Sequence, residues 1–254
     1  MITAGIDAGL EYTKAVVMKD GVVAGKASGH SGGVNRPAAI EQIYNEALEA
    51  AAVKAGDVAR VFATGKGKYD VSFADDKIAE VIAAAKSAKL QISEATTVID
   101  AGADEIVVAT LDGDKVHEFV QNQKCAAGLG LLLEGIAERF ELSIEEINML
   151  EGLPEVSVND GCVVFAELDA LSLLNRGVDV KEIAKAIVEA CAWRASTTIN
   201  DIYRPDKNCV VLMGGLALNG AFVRALERIS GIKFVIHDDP VYGAAIGVAA
   251  LAVL

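Results

Sequence analysis

Several features that define common protein classes are scarce in this sequence. There are 4 cysteines in 254 residues, and aromatic residues make up 5% of the chain. The net charge is −13 with no long basic cluster, which argues against a nucleic-acid or anionic-membrane partner. The longest apolar stretch, 241–254, is too short to span a bilayer and predicts a buried C-terminal helix. A soluble globular protein is the class that these absences leave.

The N-terminus and the cysteines predict a cytoplasmic location. A predicted strand begins directly after Met1, which leaves no room for a signal peptide. Without secretory features, four cysteines (Cys125, Cys162, Cys191 and Cys209) are expected to be thiols or metal ligands rather than disulfides. Cys191 and Cys209 fall in a helical and a strand pattern, so we predict that both are core residues.

The tetrapeptide Ile-Asp-Ala-Gly occurs twice, at Ile6–Gly9 and Ile99–Gly102. Each copy ends an apolar run and is followed by a second apolar run and an Asp-Gly turn, a pattern typical of strand, bend, returning strand and hairpin. Two copies predict two similar halves with a carboxylate, Asp7 or Asp100, on the same bend. Carboxylates beside glycine turns suit a hydrated Mg²⁺ between phosphates, so the repeat predicts a nucleotide site.

The spacing of later motifs predicts a duplication with one insertion. Ala63-Thr-Gly follows Ile6 by 57 residues, whereas Met213-Gly-Gly follows Ile99 by 114. The second half therefore contains an extra segment that covers most of 123–180 and includes Cys125 and Cys162.

This spacing also sets the predicted domains. An N-terminal lobe covers 1–94, with the terminal helix 240–254 as a candidate addition, and a C-terminal lobe covers 95–254. No Pro/Ser-rich linker separates the two lobes.

Glycines at strand ends complete the predicted nucleotide site. Gly9 can adopt a positive φ and let backbone N–H groups approach a phosphate. Gly214 and Gly215 end a strand before a helix, where an adenosine can lie against the backbone. The equivalent segment of the first half, 63–67, is glycine-rich but lacks the spacing of a P-loop.

Cys125 and Cys162 share a local setting, because each lies just before a predicted helix. The helix dipole and unpaired N–H groups favour a thiolate there, and would favour a negatively charged iron–sulfur cluster. A cubane cluster needs four thiolates, and a two-fold dimer supplies four. The alternative for each cysteine is a small buried side chain without a ligand role. Arg194, on the long helical pattern 180–201, is predicted to serve packing and surface rather than chemistry.

Seven motifs cover nearly the whole chain: GIDAG…TK at 5–14, ATGKG at 63–67, VIDAG at 98–102, KCAAGLG at 124–130, CVVFAELD at 162–169, MGGLALN at 213–219 and YGAAIG at 242–247. Together they resemble the ATPase activators of 2-hydroxyacyl-CoA dehydratases and the related ATPase subunits of benzoyl-CoA reductases. KCAAG followed by C-x-V-F-A-E is the specific part, because the sugar-kinase, actin and Hsp70 relatives lack it.

The resemblance implies an α/β fold of the acetate/sugar kinase–Hsp70–actin type, a duplicated ribonuclease-H-like fold whose two lobes hold ATP/ADP and Mg²⁺ in an interlobe cleft. It also implies a dimer that holds one [4Fe-4S] cluster through Cys125 and Cys162 of each chain. A homodimer is favoured and a heterodimer is the alternative. ATP hydrolysis would drive one electron, received from ferredoxin or flavodoxin, to an iron–sulfur dehydratase or reductase.

The resemblance assigns roles to individual residues. Asp7 and Asp100 would place Mg²⁺ and the attacking water. The remaining cofactor-binding residues lie in the two turns, beside Cys125 and in the Gly-Gly motif: Gly9, Leu10, Glu11, Tyr12, Thr13, Lys14, Gly102, Ala103, Asp104, Gly128, Gly214, Gly215 and Leu216. Leu10, Glu11 and Ala103 depart from the small, hydroxyl or glycine residues usual in the family's turns, a departure that bears on nucleotide affinity and turnover.

Two other functions are compatible with the same turns. A small-molecule kinase of this fold would contain no iron and would transfer a phosphoryl group to an added acceptor. An actin-like regulatory module would bind nucleotide without useful turnover.

Overall fold

A computed structural model describes residues 1–122, 129–204 and 209–253. The chain forms two compact units. The first consists of Met1–Ala95, Leu111–His117 and His237–Leu254, and the second of Thr96–Thr110 and Glu118–Ile236.

The strands form two sheets. Their bounds are β1 Ile2–Ala8, β2 Tyr12–Lys19, β3 Val22–His30, β4 Arg60–Thr64, β5 Asp76–Lys77, β6 Thr97–Ala101, β7 Ile106–Asp112, β8 Lys115–Gln121, β9 Val210–Met213 and β10 Phe234–Ile236. The helices are α1 Arg36–Ala50, α2 Glu80–Gln91, α3 Gly130–Arg139, α4 Ile144–Asn148, α5 Val163–Asn175, α6 Val180–Ile202, α7 Gly220–Ser230 and α8 Gly243–Leu251.

The two sheets repeat one strand order, β3-β2-β1-β4-β5 in the first and β8-β7-β6-β9-β10 in the second. The register repeats too. Asp7 lies opposite Thr64 on the parallel neighbour of β1, and Asp100 lies opposite Met213 on the parallel neighbour of β6. The strand before each bend, β1 or β6, pairs antiparallel with the strand that follows the bend and parallel with its other neighbour. The bends after β1 and β6 therefore lie at equivalent edges of the two sheets.

Small residues let helix α8 pack closely within the first unit. A Cβ on Gly5 of β1 would overlap the backbone of α8, and a Cβ on Gly247 of α8 would overlap the carbonyl of Ala83 on α2. Residues Gly243–Ala250 are all buried, which confirms the prediction of a buried C-terminal helix. None of the helices in the described ranges combines the length and hydropathy that a bilayer span requires.

Several local predictions are confirmed and two are wrong. The sequence pattern of Ser143 and Glu146 predicts a capping box, and this box is present at the start of α4. The pattern of residues 76–88 predicts a helix, but the predicted start at Asp76 is wrong, because Asp76 and Lys77 pair with β4 as a short strand and α2 begins at Glu80. Cys209 is also not a core residue: it is part-exposed and precedes β9, where its carbonyl accepts hydrogen bonds from the backbone of Thr96 and Thr97.

Candidate functional site

The first predicted phosphate turn is a closed bend at the end of β1. The N–H of Gly9 donates to the carbonyl of Tyr12 at 3.1 Å. Lys14, on the returning strand, places its Nζ 3.3 Å from Oδ2 of Asp7. Leu10 and Glu11, at the tip, are exposed. The bend therefore presents a carboxylate and a cation side by side at the edge of the sheet.

A buried pair of hydroxyl groups braces this bend from below. Thr13 is fully buried, and its Oγ1 lies 3.0 Å from Oγ of Ser31. Ser31 donates from Oγ to the carbonyl of Gly9 at 2.8 Å, and its own N–H donates to the carbonyl of Glu11 at 2.8 Å. The Thr13 side chain thus supports the turn from within, and sequence reasoning missed Ser31 because this contact joins separate strands.

The second turn repeats the first. The N–H of Gly102 donates to the carbonyl of Glu105 at 2.8 Å, as Gly9 does to Tyr12. Ala103 and Asp104, at the tip of this bend, are part-exposed.

One glycine lies against each turn in the same conformation. Gly65 has φ +87° and Gly214 has φ +89°. A Cβ on Gly65 would overlap the carbonyl of Ala8 and lie 2.8 Å from Oδ1 of Asp7. A Cβ on Gly214 would overlap the carbonyl of Ala101 and lie 2.6 Å from Oδ1 of Asp100. The backbone at both positions therefore approaches the carboxylate more closely than a side chain would allow.

The predicted adenosine segment continues directly into α7. Gly215–Leu218 forms a 3-10 turn in which Leu216 is buried. Asn219 then caps α7, its Oδ1 accepting from the N–H of Phe222 at 2.9 Å. Asn148 of α4 caps the same helix through the N–H of Gly220, and Arg224 of α7 returns hydrogen bonds to the carbonyls at the end of α4. The insertion is thereby tied to the helix that follows the Gly-Gly motif.

The second turn is packed directly against the start of α3. The N–H of Leu131 donates to the carbonyl of Ala103 at 2.9 Å. A Cβ on Gly130 would lie 3.0 Å from Cα of Ala103 and 3.2 Å from the carbonyl oxygen of Gly102. This close approach joins the candidate nucleotide turn to the segment that follows Cys125.

Cys162 is held at the start of α5 by a fixed loop. Oδ1 of Asn159 accepts from the N–H of Cys162 at 2.7 Å and from that of Gly161 at 2.9 Å. The guanidinium of Arg194, on α6, donates to the carbonyl of Asn159 at 3.2 Å and to that of Asp160. The thiol of Cys162 is free and part-exposed.

Cys191 is confirmed as a core residue. It is fully buried, and burial raises the pKa of its thiol to about 12. Its Sγ lies 3.7 Å from the carbonyl oxygen of Leu129, a weak contact that holds the segment leading into α3. Cys125 and Gly128 lie outside the described residues. Within the described ranges, His, Cys, Asp and Glu do not gather in threes that would hold a metal ion.

The repeated sheets and turns define a duplicated α/β fold, and similarity to known proteins identifies the family. The chain matches, over residues 4–252, the model of the BadF/BadG/BcrA/BcrD ATPase family, and it belongs to that family. It is 31% identical to the 2-hydroxyisocaproyl-CoA dehydratase activator of Clostridioides difficile, covering 99% of this chain and 95% of the relative. It is 32% identical to the activator of lactoyl-CoA dehydratase of Anaerotignum propionicum, covering 99% and 97%.

Solved structures confirm the fold expected from the sequence. The activator of the 2-hydroxyisocaproyl-CoA dehydratase from Clostridium difficile, with bound ADPNP, superposes with a TM-score of 0.88 at 30% identity, covering 99% of this chain and 94% of that one. A ROK family glucokinase from Streptomyces griseus superposes with a TM-score of 0.60 at 14% identity, covering 99% of each chain. The second likeness shows the shared sugar-kinase and actin-like fold and nothing of function.

Proposed function

We propose that this protein is an ATP-dependent iron–sulfur reductase component, an activator that drives one electron at low potential to a partner iron–sulfur enzyme. The observation that best supports this function is the contact of the second turn with the start of α3. Ala103 accepts a backbone hydrogen bond from Leu131, and the chain that leads into α3 is the segment that contains Cys125. A change at the nucleotide can therefore reach a candidate cluster ligand through a few residues.

ATP with Mg²⁺ would bind at the two turns. Asp7 and Asp100 would place the hydrated ion and the attacking water, and the N–H groups and Lys14 would meet the phosphates. The described residues fit such a ligand, because Gly65 and Gly214 keep the backbone beside each carboxylate free of side chains. Gly214, Gly215 and Leu216 would line the adenosine.

A [4Fe-4S] cluster would be held by Cys125 and Cys162 of two chains. The fit rests on Cys162, whose free thiol lies at the N-terminus of α5, a helix of 13 residues whose dipole favours negative charge. When bound, the cluster would supply the storage and transfer of one electron. Asn159 and Arg194 fix the backbone that presents Cys162, and the apolar interior around α6 fixes the start of α3.

The dimer and the partner have a candidate surface next to Cys162. One side of α5 is apolar and exposed, along a stripe at helical spacing: Val164, Phe165, Leu168, Leu171 and Leu174. Each chain offers two candidate ligands to a cluster that needs four, so a dimer joined at this end of α5 would complete the set, with a homodimer favoured and a heterodimer as the alternative. The partner would be a 2-hydroxyacyl-CoA dehydratase or a benzoyl-CoA reductase component, and ferredoxin or flavodoxin would supply the electron.

The kinase alternative is not favoured, because the two relatives named above, each matched over 99% of this chain, are dehydratase activators, and the sugar kinase shares only the fold. An anaerobic transfer assay tests the proposal. The reduced protein is mixed with a 2-hydroxyacyl-CoA dehydratase lacking its own activator, and dehydration is followed with ATP or with ADPNP. We expect dehydration with ATP and none with ADPNP. Phosphorylation of an added sugar or small acid, with no iron bound, would instead establish a kinase.

A further inference from the structure

Arg36 has an unusual environment for an arginine near the protein surface. It is the first residue of α1, and its side chain is 26% exposed. Its Nη1 lies 3.4 Å from Oδ2 of Asp70, a long and weak contact. Its Nε is buried, and among the described residues it has no hydrogen-bond partner. A buried N–H without an acceptor costs free energy, so this guanidinium is only partly satisfied by the protein.

Gly67 brings Arg36 next to the first phosphate turn. The N–H of Gly67 donates to the carbonyl of Ala8 at 2.8 Å. A Cβ on Gly67 would lie 3.0 Å from that carbonyl oxygen and 3.3 Å from Cδ of Arg36. The arginine stem and the Asp7–Gly9 bend are therefore separated by a single glycine whose missing side chain permits the approach.

The loop before Arg36 is fixed to the same turn. Ser31 is bonded to Gly9 through its Oγ and to Glu11 through its N–H, and Arg36 follows five residues later. Asn35, the residue that precedes α1, makes no side-chain cap, and the first turn of the helix contains no acidic residue. The first turn of α1 therefore supplies neither a side-chain cap nor an acidic residue to offset the positive end of the helix.

We propose that Arg36 binds the terminal phosphate of ATP and thereby makes the first lobe distinguish ATP from ADP. The assignment rests on the proposed function, because it requires a nucleotide at the first turn. The Nη groups of a guanidinium that only a long contact ties to Asp70 can donate to phosphate oxygens, and such charge-assisted hydrogen bonds are among the strongest in proteins. The γ-phosphate is the group that differs between ATP and ADP, so the free energy of this contact would appear only with the triphosphate.

The test compares the affinities of Mg-ADPNP and Mg-ADP, by calorimetry, in the full-length protein. Arg36→Gln removes the charge, and we expect it to weaken ADPNP binding by about 10-fold or more while ADP binding changes by less than about 2-fold. Arg36→Lys keeps the charge without the planar guanidinium, and its affinity for ADPNP should fall between those of the wild type and Arg36→Gln. Arg60→Gln is the matched control, because Arg60 is exposed at the opposite end of β4. This variant should bind both nucleotides with the affinities of the wild type. Thermal unfolding without nucleotide shows whether each variant is folded.

Two contrary results have different meanings. If the wild type discriminates between the nucleotides and folded Arg36→Gln keeps the same affinity ratio, or loses both affinities equally, the assignment of Arg36 is wrong and the proposed function stands. If the wild type binds neither nucleotide, the proposed function fails and the assignment of Arg36 fails with it.

Discussion

Cys191 and Arg194 lie one turn apart on α6, and each holds one of the two segments that contain the candidate cluster ligands. The thiol of Cys191 contacts the carbonyl of Leu129, four residues after Cys125, and Arg194 binds the carbonyls that precede Cys162. Residues at i and i+3 face the same side of a helix. A single turn of α6 therefore brings together two segments that are far apart in the sequence.

Replacing Arg194 should loosen the cluster without removing a ligand. Arg194→Gln loses the hydrogen bonds to the carbonyls of Asn159 and Asp160, so the Cys162 backbone becomes less ordered. We expect the reconstituted cluster to be lost to a chelator about 10-fold faster, as happens when groups that orient metal ligands are removed. In Arg194→Lys the rate of cluster loss should lie between those of the wild type and Arg194→Gln.

Arg176→Gln serves as the control for this variant, because Arg176 is exposed and follows α5 at the end remote from Cys162. Equal rates of cluster loss in Arg194→Gln and Arg176→Gln would show that the Arg194 contacts do not position Cys162.

Gly130 should be required for nucleotide binding to affect the cluster. In Gly130→Ala the new methyl group presses on the backbone of Gly102 and Ala103, so the turn or the start of α3 must move. We expect a loss of about 1–2 kcal/mol in the free energy of unfolding and a smaller ATP-induced change in the EPR spectrum of the reduced cluster. Gly135, in the middle of α3, has open space around it. Gly135→Ala should therefore increase the free energy of unfolding by up to about 1 kcal/mol and leave the nucleotide response intact. A full ATP response in Gly130→Ala would rule out this contact as the link.

Substitution of Gly214 should destabilise the protein much more than substitution of its neighbour Gly215. Gly214→Ala places a methyl group on the carbonyl of Ala101 at a positive φ, and we expect a loss of about 1–3 kcal/mol in unfolding free energy together with weaker nucleotide binding. Gly215 has open space around it, so Gly215→Ala should change stability by no more than about 0.5 kcal/mol. Urea unfolding and calorimetry measure both effects. Equal free energies of unfolding for Gly214→Ala and Gly215→Ala would contradict the prediction that a side chain at position 214 is strained.

His237 should make the protein less stable in mild acid. Its Nε2 lies 3.0 Å from Oγ of Ser87 and its Nδ1 accepts from the N–H of Asp239 at 3.0 Å, and burial lowers its pKa below the usual 6.5. As the pH falls below 6.5, the unfolded chain takes up a proton that the folded chain resists, so the free energy of unfolding decreases until the folded pKa is reached.

Urea unfolding from about pH 7.5 to about pH 5 measures this dependence, and the His237→Gln variant should lose that part of the slope. The same slope in wild type and His237→Gln would assign the pH dependence to other groups.

The sequence predicted the parts of the fold that local patterns encode. The bends at Asp7 and Asp100, the capping box at Ser143 and most strands follow from glycine positions and apolar periodicity within a few residues. The helix predicted from Asp76 was wrong because those residues pair with β4, a tertiary contact that overrides their local preference. Cys209 was misplaced because strand ends are not visible in an apolar run.

The supports of the candidate site could not be predicted from sequence. Arg194 was expected to serve packing and surface, yet it binds the carbonyl of Asn159 from 35 residues away. Ser31 and Arg36 gain their roles only when β3 and α1 pack beside the first turn. Such contacts depend on which strands become neighbours, and a single sequence contains no local signal for them.

The iron content of the protein after anaerobic reconstitution tests the central claim most directly. One four-iron cluster shared by two chains requires about two iron atoms per chain, with visible absorption that dithionite bleaches. Cys162→Ser should lose the iron, while Cys209→Ser, which changes a part-exposed thiol just before β9, should retain it. A wild-type protein that remains colourless and iron-free, or a Cys162→Ser variant that holds as much iron as the wild type, would contradict the assignment of this chain as an iron–sulfur electron-transfer ATPase.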